Sequence, residues 1–260
     1  MLVRGKAIII TGVGPGMGRK LASIGSAEGA QIAIAARSPG FIGEVAAEIS
    51  AQGGQAIAVP TDVGDFEACN RLAAAALEAF GRIDGLINSA YRFSSAHRLE
   101  DHDLGEWQLT MEATCFGALR MIKAVLPAMK RQGGGAIVNV SSRSVVQPIP
   151  GENPYVAAKA ALEGATRQLA LELGPYNIRV NAARMGWLWG APVQNHFREA
   201  AAAKGVPEEQ LIDAVRRTIP LGVIPPDEEC AKSVLFFVSD YSRMVTGTSM
   251  DVNGGQYMAA

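Results

Sequence analysis

Short, continuously apolar runs alternate along this chain with longer segments whose apolar residues recur at helical spacing. Ala7–Thr11, Gln31–Ala36, Gln55–Pro60, Ile83–Asn88, Ala136–Val140, Ile178–Ala182 and Val245–Asn253 are strand-length runs that predict buried strands. Between them, helices are predicted from Leu21 onward, over Phe41–Gln52, over Asp65–Phe80 ended by Gly81, and over Leu104–Arg131. A further helix is expected from Asn153 to Leu173, stopping at Gly174-Pro175, and a last one over Asp227–Ser239. Arg92–Asp103 is polar and reads as a loop with His97 and His102 at the surface.

Strands alternating with helices imply parallel pairing, right-handed crossovers and ligand sites at the carboxyl ends of the strands. The expected fold class is therefore α/β: one doubly wound, Rossmann-type parallel sheet of seven strands flanked by helices, in a single domain over residues 1–260. Ala191–Pro220 is an Ala- and charge-rich helical insertion between the sixth strand and the next helix.

The first strand leads into Gly12-Val13-Gly14-Pro15-Gly16-Met17-Gly18 and then a helix. Glycines there permit close backbone approach, and a helix N-terminus offers N–H groups to a pyrophosphate. The dinucleotide fingerprint Gly-x-Gly-x-x-Gly does not fit, because Met17 and Arg19 stand where its third glycine is required.

Ser141-Ser142 closes the fifth strand, and Tyr155 and Lys159 follow on the next helix, with Asn153 expected as its N-cap and Pro154 at its first position. That register puts Tyr155 in the first turn, near the positive end of the helix dipole, and Lys159 four residues on along the same face. A phenol titrates near about 10, so an ammonium and a helix N-terminus would both help it ionise. Ser142 could donate a hydrogen bond to the oxygen that Tyr155 protonates.

These residues resemble the short-chain dehydrogenase/reductase family in its classical form, and the resemblance covers nearly the whole chain. It implies that Ser142 polarises a carbonyl, that Tyr155 is the general acid or base, and that Lys159 binds the nicotinamide ribose and lowers the Tyr pKa. Thr11-Gly12-x-x-x-Gly16-x-Gly18 resembles the family's glycine turn, with Gly14 and Met17 inside it. Asp62-Val63 matches the adenine contact, Asn88 the end of the fourth strand, and Gly186 a backbone contact near the nicotinamide. The residues from about 187 to 225 match the substrate lid, and a homotetramer is implied.

The departures are specific. Thr114 stands where the family has its fourth catalytic residue, an Asn. Ser89 and Tyr91 replace an Asn and a Gly beside the cofactor, and Tyr91 should crowd or reshape the pocket. Met185 and Gly190 replace a Pro and a Thr in the loop after the sixth strand. Ala36-Arg37 ends the second strand where an acid would hold a ribose 2′-hydroxyl, so Arg37 suits a 2′-phosphate and NADP(H) is the expected cofactor, with NAD(H) also compatible. Trp187, Leu188 and Trp189, with Phe93 and Phe197 near, suggest a bulky apolar substrate, or else packing of the lid.

Composition narrows the partners. The 260 residues are 48% hydrophobic and 19% charged, with a net charge of −1, so no basic excess points to nucleic acid or an anionic membrane. No apolar run approaches the roughly 20 residues that span a bilayer. Cys69, Cys115 and Cys230 are scattered, without metal-ligand spacing, which fits a reducing cytoplasm and no metal site. The function expected is an NADP-preferring oxidoreductase moving hydride between nicotinamide and a carbonyl or secondary alcohol carbon. A rival of another class is a nucleotide-binding regulatory or scaffold protein that keeps the fold without turnover.

Overall fold

Every residue of β1 (Ala7–Thr11) is buried, as a parallel strand covered by helices on both faces should be. The computed structural model describes residues 1–93 and 97–258. The remaining strands are β2 (Gln31–Ala36), β3 (Gln55–Pro60), β4 (Gly85–Asn88), β5 (Gly135–Ser142), β6 (Ile178–Met185) and β7 (Ser249–Val252). The seven form one sheet of order β3-β2-β1-β4-β5-β6-β7, and every pairing is parallel.

The helices are α1 (Met17–Ala27), α2 (Pro39–Ala51), α3 (Phe66–Phe80), α4 (Leu104–Met111), α5 (Gly117–Arg131), α6 (Asn153–Leu173), α7 (Ala191–Lys204), α8 (Glu208–Arg216) and α9 (Asp227–Val238). Alternation along the strands feeds two cores. Ile8 and Ile10 pack with Leu21, Val45 and Leu235 on one face, and Ile9 packs with Leu72, Met121 and Val125 on the other. A third, smaller cluster of Phe197, Ile212, Ile219 and Ile224 holds α7 and α8. Among the described residues no helix is long and apolar enough to cross a membrane.

Several boundaries differ from the sequence expectation for local reasons. The stretch before Ser249 is not strand, because the Val245 carbonyl accepts from the side chains of Arg179 and Asn181 and the Thr246 hydroxyl accepts from Val180 N. The expected long helix over 104–131 is broken by a π turn at Glu112–Phe116, where Thr114 is fully buried. Glu152, not Asn153, caps α6, and it does so without a side-chain bond. Asn153 is already helical and its amide reaches the His97 carbonyl at 3.1 Å. His102 is buried, edge-on to the Trp107 ring, rather than at the surface.

Candidate active site

Parallel pairing in register brings the carboxyl ends of the strands together: Thr11 pairs with Asn88, Asn88 with Asn139, and Ser142 with Met185. A cavity of about 320 Å³ opens at this edge. It lies where the strand order reverses between β1 and β4, the usual place for a ligand in such a sheet.

At one end is the glycine turn. Gly12 has φ +71°, and a Cβ there would overlap the Ala90 backbone, while a Cβ on Gly18 would lie 2.8 Å from the Gly12 carbonyl. Gly14, in contrast, has nothing within 4 Å of where its Cβ would be. The turn is thus closed against the chain behind it and open toward the cavity. Gly16 caps α1 without a side-chain bond, and no acid occupies the first turn; the Arg19 N–H donates to the Gly14 and Gly16 carbonyls, which leaves the Met17 and Gly18 N–H groups and the helix dipole for an anion. This cradle fits the pyrophosphate of a dinucleotide.

Ser142, Tyr155 and Lys159 line the same cavity, together with Gly12, Gly14, Gly16, Met17, Gly18 and Gly186. Ser142 Oγ accepts from the Ser144 backbone N–H and donates to the Ser144 hydroxyl, both at 3.2 Å, and lies close enough to the Tyr155 phenol to influence its titration. The Tyr155 ring packs against Phe93, with centroids 4.8 Å apart, and edge-on to Tyr91 at 5.9 Å. Lys159 is 2% exposed, and its ammonium donates to the Val140 carbonyl at 2.6 Å.

Burial dominates the electrostatics of this pair. Burial holds the Tyr155 pKa above the usual phenol value, the Ser142 hydroxyl draws it back, and Tyr91 and Glu152 push it further up. Lys159 Nζ sits 5.7 Å from the Tyr155 ring centre and donates to the Val140 carbonyl. Burial lowers Lys159 itself to about 8, against the opposing pull of Glu163 and Cys115.

Thr114, Asn88, Arg37, Asp62 and Val63 fall outside the cavity lining, whereas Ser89, Tyr91, Met185 and Gly190 are part of it. Thr114 Oγ1 accepts the Arg92 backbone N–H at 3.0 Å, tying the π turn to the chain after β4. Asn88 is buried, its amide donating to Asn139 Oδ1 at 2.9 Å and its own Oδ1 left without a partner among the described residues. Arg37 is exposed at the end of β2 and makes no ion pair among the described residues. Asp62 is exposed and accepts from Gly64 N at 2.8 Å; Val63 is buried. Of the aromatics, Tyr91, Phe93 and Trp187 line the cavity, whereas Phe197 is buried in the α7–α8 cluster. The Trp189 side chain packs on that cluster, as the packing alternative expects, and its backbone N–H donates to the Pro225 carbonyl at 2.8 Å.

Two features were not found from sequence. Beneath Lys159, Glu163 Oε1 accepts from Ser141 Oγ at 2.5 Å and Arg184 Nε at 3.0 Å, and its Oε2 accepts from Arg184 Nη2 at 2.8 Å and Ser249 Oγ at 3.2 Å. Arg184 also reaches Asp251 at 3.0 Å, so one charged knot ties α6 to β5, β6 and β7. Its sequence signals were an Arg inside an apolar strand and a Glu four residues after Lys159. The second feature is Arg143, which lines the cavity with Ser144 and Glu152 and follows β5, two strands from the β1 that leads into the glycine turn.

Comparison with known proteins gives the same class. Residues 12–256 match a family described as enoyl-(acyl carrier protein) reductase. L-rhamnose 1-dehydrogenase (NAD(P)(+)) of Azotobacter vinelandii is 34% identical, with 99% of each chain covered. Trans-4-hydroxycyclohexanecarboxylate dehydrogenase of Sinomonas cyclohexanicum is 33% identical over 96% of this chain and 92% of that one. The structure of L-sorbose reductase from Gluconobacter frateurii, complexed with NADPH and L-sorbose, superposes with a TM-score of 0.93 at 28% identity, covering 98% of both chains. Fold and cavity define an NAD(P)-dependent oxidoreductase. The chain belongs to the short-chain dehydrogenase/reductase family, whose named relatives here are dehydrogenases and reductases of alcohol and carbonyl groups.

Proposed function

We propose that this protein is an NADP(H)-preferring oxidoreductase that interconverts a carbonyl and a secondary alcohol on a bulky, largely apolar substrate. The observation that carries this reading is the joint placement of Ser142, Tyr155 and Lys159 in the cavity that the glycine turn opens into. NADP(H), when bound, supplies or accepts the hydride. Gly12 to Gly18 would hold its phosphates, Lys159 and Gly186 its nicotinamide half, Asn88, Asp62 and Val63 the remainder, and Arg37 the 2′-phosphate.

In reduction, the substrate oxygen sits between Ser142 and Tyr155. Ser142 donates a hydrogen bond to it, and Tyr155, kept protonated by burial, gives its proton as negative charge develops there. Lys159, a buried ammonium beside the phenol, stabilises the tyrosinate left behind. Thr114 offers one hydroxyl, already accepting from Arg92 N, so proton return to Tyr155 runs through water or backbone without an Asn side chain.

Tyr91, Phe93, Ile149, Trp187, Leu188 and Val193 give the substrate end its apolar walls. The α7–α8 segment covers this end as a lid. Tyr155 and Lys159, four residues apart on one helix face, support carbonyl over enoyl reduction. The family resemblance supports a homotetramer of single-domain subunits, and three buried cysteines without disulfides support a cytoplasmic setting.

A panel of carbonyl compounds assayed with NADPH and with NADH, following loss of reduced-cofactor absorbance, tests the reading. Turnover with at least one carbonyl is expected, and its complete absence would favour a nucleotide-binding protein without catalysis. Fluorescence titration of Arg37→Ala should show NADPH weakened roughly ten- to a hundredfold and NADH much less, since one charge-assisted contact is lost. Equal loss for both cofactors would remove Arg37 from cofactor choice.

A further inference from the structure

We propose that Arg143 is an anion-recognition site at the substrate end of the cavity, and that the substrate is a hydroxy or oxo acid whose carboxylate it binds; this rests on the oxidoreductase reading above. Arg143 directly follows Ser142, lines the cavity and is 8% exposed. Its guanidinium bonds the neutral Gln147 side-chain oxygen at 2.6 Å, and its Nε is buried without a partner among the described residues. Arg92, Arg120 and Arg184 each have a carboxylate at 3.0, 2.6 and 2.8 Å respectively. Half-buried Arg179, which lacks one, directs its donors to three backbone carbonyls. Arg143 has neither solution among the described residues.

An arginine carries five N–H donors, and a buried cation without a counter-ion is costly, so this arrangement is what a ligand anion would complete. Burial pulls its pKa down and Glu152 pulls it back. Glu152 does not neutralise it by contact, because its carboxylate accepts the Ser144 hydroxyl at 2.6 Å and lies outside ion-pair range of the guanidinium. The phosphates of the cofactor are not the expected anion. The glycine turn follows β1 and Arg143 follows β5, with β4 between them, a separation of about 10 Å at ordinary strand spacing. A hydroxy or oxo acid with a bulky apolar body satisfies all three parts of this end: Ser142 and Tyr155 take its reacting oxygen, Phe93, Ile149 and Trp187 its apolar body, and Arg143 its carboxylate.

The test is calorimetric titration of the NADPH-loaded protein with cyclohexanecarboxylate and with its neutral match, cyclohexanecarboxamide. The acid is expected to bind roughly ten- to a hundredfold more tightly. That preference should vanish in Arg143→Met, persist in part in Arg143→Lys, and grow by up to about fivefold in Glu152→Gln, which removes the competing charge. Opposite shifts from Arg143→Met and Glu152→Gln are not produced by general damage to the fold. The proposal is overturned if the wild-type protein binds the acid no more tightly than the amide, no binding of either included, or if Arg143→Met weakens both ligands equally. If the acid binds through Arg143 but no oxo acid is reduced, the anion site stands and the catalytic reading fails.

Discussion

Beneath the cavity, Glu163, Arg184, Asp251 and Ser141 fasten α6 to three strands through largely buried hydrogen bonds to charged groups. Above it, α7 and α8 are held by a small apolar cluster around Phe197 and by the ring of Trp187 stacked on it at 5.4 Å. The two arrangements differ in what deformation does to them. Shifting the floor separates buried charges, each of which costs several kcal/mol when unpaired, whereas apolar contacts are non-directional and individually weak. The floor can therefore hold Ser142, Tyr155 and Lys159 in one geometry while the roof adjusts to the substrate body.

Chemistry and bracing should separate cleanly within the floor. Tyr155→Phe removes the proton donor and leaves the charged knot intact. Turnover on the best carbonyl substrate is expected to fall about 10²–10⁴-fold with NADPH affinity and melting temperature little changed. Arg184→Met should do the reverse: Glu163 is left buried and unpaired, destabilising the protein by about 3–5 kcal/mol in urea unfolding. A change well under 1 kcal/mol would mean that the knot is not what stiffens the floor.

The roof should show the graded behaviour of an apolar wall. Trp187→Ala, which opens the cavity lining, is expected to raise KM for bulky substrates about tenfold and for small ones less. Trp189→Ala, which loosens the α7–α8 cluster, should lower the melting temperature and raise KM for all substrates alike. If Trp189→Ala proved the more size-selective of the two, the assignment of lining and packing would be reversed.

The smallest effect expected is in pH dependence. A lysine whose pKa burial has lowered carries its charge below that value and loses it above, so with Lys159 near 8 the rate of reduction should stay flat through neutral pH and decline with a midpoint near 8. Tyr155, pushed upward, stays protonated across this range and adds no titration on the acid side. Oxidation, which needs the phenolate, should instead rise with pH. A reductive profile rising through pH 8 would contradict these assignments.

Most of the sheet was legible because a doubly covered parallel strand writes itself as an apolar run, and helix ends such as Asp65 and Gly81 follow local rules: Asp65 accepts from Glu67 N, and Gly81 adopts φ +74°. Ser142, Tyr155 and Lys159 were legible because their spacing is local. The π turn was not, since the residues around Thr114 keep helical periodicity and only the bond from Arg92 N, 22 positions away in sequence, marks the break. Glu163 and Arg184 stand 21 positions apart and meet only through the packing of α6 on the strands. The burial of His102 and the unmet donors of Arg143 likewise arise from tertiary packing, which no periodicity encodes.

The central claim is that hydride passes between the nicotinamide and a carbonyl carbon held by Ser142 and Tyr155. It is tested most directly by incubating the enzyme with NADPH deuterated at both C4 positions and the best carbonyl substrate, then locating the label by NMR. The account predicts one deuterium on the carbon that bears the new hydroxyl group. Deuterium on a carbon of a reduced C=C bond, with the carbonyl intact, or a product carrying no deuterium, would contradict it.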